Sequence, residues 1–93
     1  MVAPEEIPLL FASDGVLREL RSLPKEAQQD TGYQLQRVQW GHGPTNWKPM
    51  SDVGPGCREI RLTTSDGIAR SIYVYVGKNP KYVVCLCAFV KKT

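Results

Sequence analysis

Two arginines on either side of a predicted β-hairpin are the residues of this sequence best suited to chemistry. Arg61 lies on the polar side of one predicted strand, and Arg70 begins the next strand after a turn at Ser65-Asp66-Gly67. Residues that face each other across a hairpin have Cβ atoms about 5 Å apart, so the two side chains can approach one another. Two cations held side by side suit a phosphate group. The structural alternative is that Arg61 pairs with an acid and Arg70 is a solvated charge at a strand end.

The charge distribution supports an anionic ligand. Residues 1–30 contain three Lys or Arg and six Asp or Glu, whereas residues 31–93 contain nine and three, so the two parts carry −3 and +6 within a total of +3. A basic half on a small domain is typical of proteins that bind phosphates, although a mild excess also occurs on surfaces that bind nothing. Charge alone therefore leaves nucleic acid as one of two interpretations.

Cysteine and histidine usage disfavours a metal centre. The chain has three cysteines, no Cys-x-x-Cys pair and a single histidine, His42, so a zinc site would need ligands that the sequence does not supply. Cys85 and Cys87 are two apart on one predicted strand face, which is too stretched for an easy disulfide, and they are predicted to be buried thiols. We expect no metal and no other cofactor.

No segment suggests export or a membrane. The N-terminus lacks the basic and apolar regions of a signal peptide, and no apolar stretch is long enough to cross a bilayer. We therefore expect a cytoplasmic protein with no membrane partner.

A short strand and two helices are predicted to come first in a single α+β domain spanning residues 1–93. Ile7 to Phe11 predicts an edge strand, because its Pro8 cannot donate to a ladder. Ser13 can open a helix that ends at Leu23-Pro24, and Pro24 suits the start of a second helix that Gly41 would stop. The short link between them indicates an antiparallel helix hairpin.

A long loop and three strands follow the helices. Residues 41–57 contain four glycines and three prolines, which predicts a loop with an exposed Lys48. Period-two alternation then predicts a meander of strands from Arg58 to Thr63, Ile68 to Val76 and Tyr82 to Val90. The last of these is apolar on both faces, as in a central strand. We expect the helix hairpin to pack on an antiparallel sheet of three to four strands.

Six sequence tracts occur together in a recognisable order over nearly the whole chain. They are Gly32-Tyr33-Gln34-Leu35 with Val38-Gln39, Trp47-Lys48-Pro49-Met50, Val53-Gly54-Pro55-Gly56, Glu59-Ile60-Arg61-Leu62, Arg70-Ser71-Ile72-Tyr73-Val74 and Ala88-Phe89-Val90-Lys91-Lys92-Thr93. Together they resemble the RelE/ParE superfamily of type II toxins, most closely its phage-derived, HigB-like branch. Family members usually carry histidine or another residue at the position of Cys87, and they continue past Lys-Lys-Thr into a C-terminal helix. The resemblance thus implies a RelE-like fold from which this last helix is absent.

The resemblance also implies a ribosome-associated endoribonuclease that cleaves mRNA and is held inactive by a cognate antitoxin, which we expect to be of the helix-turn-helix type. Metal-independent RNA cleavage uses the 2'-hydroxyl of the substrate as nucleophile, so the protein must stabilise the charge that develops on phosphorus oxygens. Cations do this best. The candidate catalytic residues are Arg61, Arg70, Tyr73 and Lys91, and the candidate RNA-binding residues are Lys48, Arg58, Tyr75 and Lys92.

Several of these residues have a competing structural role. Glu59 could act as a base, but a carboxylate beside an arginine has a lowered pKa, and we favour it as the partner of Arg61. Lys91 and Lys92 could equally form a solubilising tail.

The aromatic and histidine candidates also have two interpretations. Tyr73 and Tyr75 could stack on an RNA base, or they could bridge sheet and helix, a role that suits Tyr75 better than Tyr73. His42 could exchange protons, but it lies in a glycine-rich loop with no motif around it and is more often a bystander.

A second class of function stays open, because ParE-type relatives poison DNA gyrase and the fold alone does not identify the target. The alternative is a non-enzymatic binding module, either a gyrase inhibitor or an inactive, truncated toxin that binds antitoxin or RNA.

Overall fold

Two helices pack on one face of a five-stranded sheet in a computed structural model, which describes residues 6–65 and 67–91. The elements in chain order are β1 (Leu9–Phe11), α1 (Asp14–Arg21), α2 (Lys25–Gln39), β2 (Trp47–Pro49), β3 (Arg58–Thr64), β4 (Gly67–Val76) and β5 (Tyr82–Lys91). The predicted α+β class is confirmed.

The helix boundaries follow the predicted signals. Ser13 is the N-cap of α1, and its hydroxyl oxygen accepts a hydrogen bond from the Val16 backbone N–H at 3.4 Å. Pro24 precedes the first residue of α2, where its missing N–H costs nothing. Gly41 follows the end of α2 with a φ of 81°, a left-handed conformation that glycine adopts without strain.

The sheet has the order β1-β5-β4-β3-β2 and is mixed, because β1 runs parallel to β5 while the other pairs are antiparallel. It therefore has five strands where three to four antiparallel strands were expected. The additional strand, β2, lies inside the predicted loop and pairs Trp47 with Ile60 and Pro49 with Arg58. Pro49 is tolerated because β2 is a strand of three residues at the sheet edge. The prolines and glycines around it nevertheless predict a loop, so β2 could not be recognised from the local composition.

The helix-covered face of the sheet holds the core. Cross-strand partners share a face, and side chains from β3, β4 and β5 pack there against both helices. The larger cluster contains Val16, Leu35, Val38, Ile60, Tyr73, Val83 and Cys85, and the smaller contains Leu23, Ala27, Ala69 and Ala88. The opposite face, called the open face below, carries the alternating residues of the same strands.

An irregularity in the β4–β5 pairing separates two cysteines that were predicted to share a face. Ile72 pairs with Cys87, but its neighbour Tyr73 pairs with Cys85, so one residue of β5 is left over between them. Because Ile72 and Tyr73 point to opposite faces, Cys85 lies in the core and Cys87 on the open face. The prediction of a common face was wrong, since a bulge breaks the period of two. The prediction of a buried free thiol holds for Cys85, while Cys87 is half-buried; Cys57 is also free and buried.

Neither helix in the described part of the chain has the length and apolarity needed to cross a membrane.

Candidate functional site

Basic side chains from four strands converge on the open face. The register places Arg61 of β3 opposite Arg70 of β4, and Arg70 opposite Phe89 of β5. In neighbouring rows, Lys48 of β2 lies opposite Glu59, and Lys91 of β5 lies opposite Ile68. The face thus presents four cations, Lys48, Arg61, Arg70 and Lys91, and the two arginines among them contact the Glu59 carboxylate.

Glu59 holds both arginines through a single oxygen. Its Oε1 atom lies 3.6 Å from Nε of Arg61 and 3.7 Å from Nη1 of Arg70. Its side chain is only 2% exposed, whereas those of Arg61 and Arg70 are 35% and 18% exposed. The carboxylate therefore lies beneath two guanidinium groups that still reach solvent.

The arginine pair keeps a net positive charge in spite of Glu59. Among the described residues, Nε of Arg61, Nε of Arg70 and Oε1 of Glu59 are buried and have no hydrogen-bond partner, so the two contacts with Glu59 are ion pairs without hydrogen bonds. Like charges directly opposite one another on a sheet repel, and the single carboxylate offsets this only in part. An added anion could neutralise the remaining charge at the parts of the two guanidinium groups that reach solvent.

The hairpin prediction for this pair is confirmed. Arg61 and Arg70 are direct cross-strand partners, as the turn after Thr64 suggested. The structural alternative holds for Arg61, which pairs with Glu59 in the partner role favoured for this acid. It is wrong for Arg70, which is not a solvated charge but also pairs with Glu59 and is 18% exposed.

The two lysines of this face are exposed. Lys48 lies on β2 with its side chain in solvent, as predicted, and Lys91 is exposed at the end of β5. Lys92, the remaining basic candidate of this tract, lies outside the described residues. Lys48 and Lys91 border the arginine pair on two sides and add positive potential to the same surface.

Three other candidates lie away from this cluster, on the helix-covered face. Arg58 pairs with Tyr73 in the register, and Tyr73 is fully buried. Its burial raises the pKa of the Tyr73 hydroxyl, an effect that the nearby Arg58 guanidinium partly offsets. The structure therefore does not bring Tyr73 together with Arg61 and Arg70.

Tyr75 has the bridging role that was favoured for it. Its hydroxyl donates a hydrogen bond to the backbone oxygen of Val38 in α2 at 3.0 Å, which links sheet and helix. Its ring meets the Tyr73 ring edge-on, with centroids 5.9 Å apart. Burial raises the pKa of the Tyr75 hydroxyl.

Arg58 and His42 have local surroundings that do not involve the open face. The Arg58 guanidinium carbon lies 4.4 Å from the centroid of the Trp47 ring, a cation–π contact. His42 is exposed in the segment after α2, where its backbone N–H donates to the oxygen of Arg37. That His42 takes no part in the chemistry stays a prediction.

Phe89 also lies on this face, although it is not among the candidate residues chosen from the sequence. Its ring is 39% exposed and it is the β5 partner of Arg70. The sequence does indicate the face on which Phe89 lies, because its neighbours Ala88 and Val90 face the helices and successive strand residues point to opposite faces. Recognising it required the β4–β5 register, which the bulge between Ile72 and Tyr73 hides from a simple period of two.

The chemistry available on the open face is that of cations. Among residues 6–65 and 67–91, no group of three His, Cys, Asp or Glu residues is placed to hold a metal ion. Glu59 lies too deep to be an exposed acid, and burial raises the pKa of the half-buried Cys87 thiol. This surface can bind a phosphate and neutralise its charge.

A family comparison covers this whole site. The model of the family described as phage-derived protein Gp49-like (DUF891) matches residues 18–93, which include all four cations of the open face. Comparison with curated proteins and with solved structures gives no match. Gp49-like proteins are RelE/HigB-like toxins, and a toxin of this kind has an antitoxin as its partner. Since the match spans most of the sequence, this chain belongs to the phage-derived Gp49-like family of toxins.

Proposed function

We propose that this protein is the toxin of a type II toxin–antitoxin system, from the HigB-like branch, and that it cleaves mRNA on the ribosome in the cytoplasm. The family supports the toxin role. The observation that supports RNA as the target is the pair of arginines on the open face, which share one buried carboxylate and still reach solvent with a net positive charge.

In the proposed reaction, the 2'-hydroxyl of a nucleotide gives its proton to water as its oxygen attacks the adjacent phosphorus. The bond to the 5'-oxygen of the next nucleotide breaks and that oxygen takes a proton from water, so the products are a 2',3'-cyclic phosphate and a 5'-hydroxyl end. Negative charge grows on the non-bridging oxygens during attack. Arg61 and Arg70 stabilise this charge, and donors aimed in this way are typically worth about 3 kcal/mol each. Glu59 positions both guanidinium groups, so little reorganisation is needed when the phosphate arrives.

The lysines bind the flanking backbone in this proposal. Lys48 and Lys91 are exposed on two sides of the arginine pair and can reach phosphates before and after the scissile one. Lys92 is proposed to extend the same contact. Tyr73, Tyr75 and Arg58 are assigned no contact with RNA, because they belong to the other face of the sheet.

The partner is proposed to be a helix-turn-helix antitoxin. A segment of it that lies on the open face would cover exposed apolar side chains there, such as Val76 and Phe89. If this segment is acidic, it would also neutralise the four cations and exclude RNA. In this proposal the antitoxin inhibits the toxin by occupying the open face.

An alternative is a non-enzymatic module that inhibits DNA gyrase or binds antitoxin or RNA. One observation favours it: Glu59 is 2% exposed and paired with two arginines, which makes it a poor base for a 2'-hydroxyl. A cleavage assay and a DNA supercoiling assay on the same preparation separate the two functions.

The test uses purified protein in a translating extract programmed with one mRNA, with mapping of new 5'-ends. Wild-type protein is expected to cut the mRNA only while it is translated, and Arg70→Ala is expected to abolish cutting while the circular dichroism spectrum is unchanged. Arg21→Ala is the matched control, because Arg21 is an exposed cation at the end of α1, away from the open face. Absence of cleavage by the wild-type protein, or equal cleavage by Arg70→Ala, would contradict the proposal.

A further inference from the structure

We propose that Phe89 is the base-stacking residue of the open face, which makes unpaired, single-stranded RNA the ligand of this surface. The inference rests on the proposed function, because it takes the phosphate to be bound by Arg61 and Arg70. It goes further by assigning a position to the base and a preference for single strands.

The register gives Phe89 its position. Arg61, Arg70 and Phe89 form one row across three neighbouring strands on the same face. Adjacent strands are about 5 Å apart, so the ring lies one strand spacing from Arg70 and two from Arg61. A nucleotide bound through its phosphate to the arginines can direct its base along this row, since base and phosphate are joined through one sugar.

The exposure of Phe89 supports a ligand rather than a packing role. Its ring is 39% exposed, while its neighbours Ala88 and Val90 point to the other face and pack with the smaller core cluster. Removing this ring from water would be favourable by the hydrophobic effect alone, and a base offers a flat π-surface of matching shape. Lys91, two residues further along β5 on the same face, can contact the next phosphate.

The other aromatic candidates are already engaged. Tyr73 is fully buried, and Tyr75 donates its hydroxyl to the backbone of Val38. Trp47 carries the Arg58 guanidinium over its ring. Of the rings proposed or considered for RNA contact, Phe89 is the one next to the arginine pair with a solvent-exposed surface.

This position predicts a specific ligand preference. A base can lie on the Phe89 ring only after it leaves its own helical stack, so the same sequence in a duplex should bind more weakly. Stacking on an aromatic ring tolerates every base, so Phe89 should contribute affinity with little sequence preference. The phosphate contacts through Arg61 and Arg70 should be equally independent of sequence.

The experiment measures binding of a short 2'-O-methyl RNA that contains one 2-aminopurine. The methyl group blocks the nucleophile, so binding is measured without cleavage, and fluorescence quenching reports stacking of the modified base. Phe89→Ala and Phe89→Leu should weaken binding about 5- to 150-fold and remove the quenching, whereas Phe89→Tyr should behave like wild type. The leucine variant keeps an apolar side chain and thus isolates the aromatic ring.

Salt dependence separates this inference from the proposed function. Replacing Arg70 by alanine should lower the slope of log affinity against log salt by about 0.7, whereas Phe89→Ala should leave the slope unchanged. If the arginine variants lose RNA affinity but Phe89→Ala and Phe89→Leu keep wild-type affinity and quenching, the stacking role of Phe89 is overturned and the proposed function stands. If the wild-type protein shows no salt-dependent affinity for the RNA, the stacking inference is overturned together with the phosphate-binding role of Arg61 and Arg70, whereas the cleavage assay in the translating extract decides the proposed function separately.

Discussion

The Glu59 carboxylate lies 3.7 Å from the Arg70 guanidinium across the β3–β4 pairing, and the same oxygen lies 3.6 Å from Arg61 on its own strand. A carboxylate that is 2% exposed would be costly if it were alone, because burial removes its hydration. The two arginines make it tolerable and are in turn fixed by it. The arrangement keeps two like charges next to each other on a surface open to anions.

Neutralising Glu59 should therefore destabilise the fold. In Glu59→Gln the side chain keeps its shape but no longer offsets two facing cations, and we expect the free energy of unfolding to fall by about 2 to 3 kcal/mol. Urea denaturation of both proteins measures this. Asp30→Asn, the same change at an exposed site on α2, should shift stability by no more than about 0.5 kcal/mol. A Glu59→Gln protein as stable as the Asp30→Asn control would show that the negative charge of Glu59 does not contribute to the free energy of unfolding.

The two tyrosines of β4 should respond differently to loss of their hydroxyl groups. Tyr75→Phe removes the hydrogen bond to the Val38 oxygen and should cost about 1 kcal/mol of unfolding free energy. The Tyr73 hydroxyl is buried with no hydrogen-bond partner among the described residues, so Tyr73→Phe should be neutral or slightly stabilising.

Thermal unfolding measures the change in stability of the two single variants and of the double variant relative to wild type. Each single variant is the control for the other. A larger loss of unfolding free energy in Tyr73→Phe than in Tyr75→Phe would show that the Tyr73 hydroxyl has a hydrogen-bond partner. Arg58 is the candidate for this partner, because it lowers the pKa of Tyr73.

Much of the fold could be predicted from local sequence signals. Ser13, Pro24 and Gly41 act within one helical turn, and each marks the helix end that was expected. The pairing of Arg61 with Arg70 was also predictable, because a short turn fixes the register of the strands on either side of it.

Features that depend on distant contacts could not be predicted in this way. The two faces of β4 are both apolar, with Ile72 on one and Tyr73 on the other, so alternation did not reveal which face the helices cover. Tyr73 was grouped with the arginines of the opposite face because it lies in the tract Arg70-Ser71-Ile72-Tyr73-Val74, which carries the family resemblance. The parallel pairing of β1 with β5 joins the two ends of the chain, and no local pattern encodes it.

Alkaline pH should destabilise the protein through its buried thiol. Desolvation in the core raises the pKa of Cys85 from 9.0 to about 12, so the folded state keeps this proton while the unfolded state releases it above pH 9. Below pH 9 both states are protonated and the free energy of unfolding is unaffected. Between pH 9 and about 12 it should fall, with a slope that approaches about 1.4 kcal/mol per pH unit for this one group.

Urea denaturation from about pH 8 to about pH 11 under reducing conditions measures this slope. Cys85→Ala should unfold with a shallower pH dependence, although the raised pKa values of Tyr73, Tyr75 and Cys87 act in the same direction and leave part of it. Cys57→Ala is the matched control, since it removes a buried thiol from the segment before β3. An unchanged slope in Cys85→Ala would mean that the Cys85 thiol ionises as readily in the folded protein as in the unfolded chain.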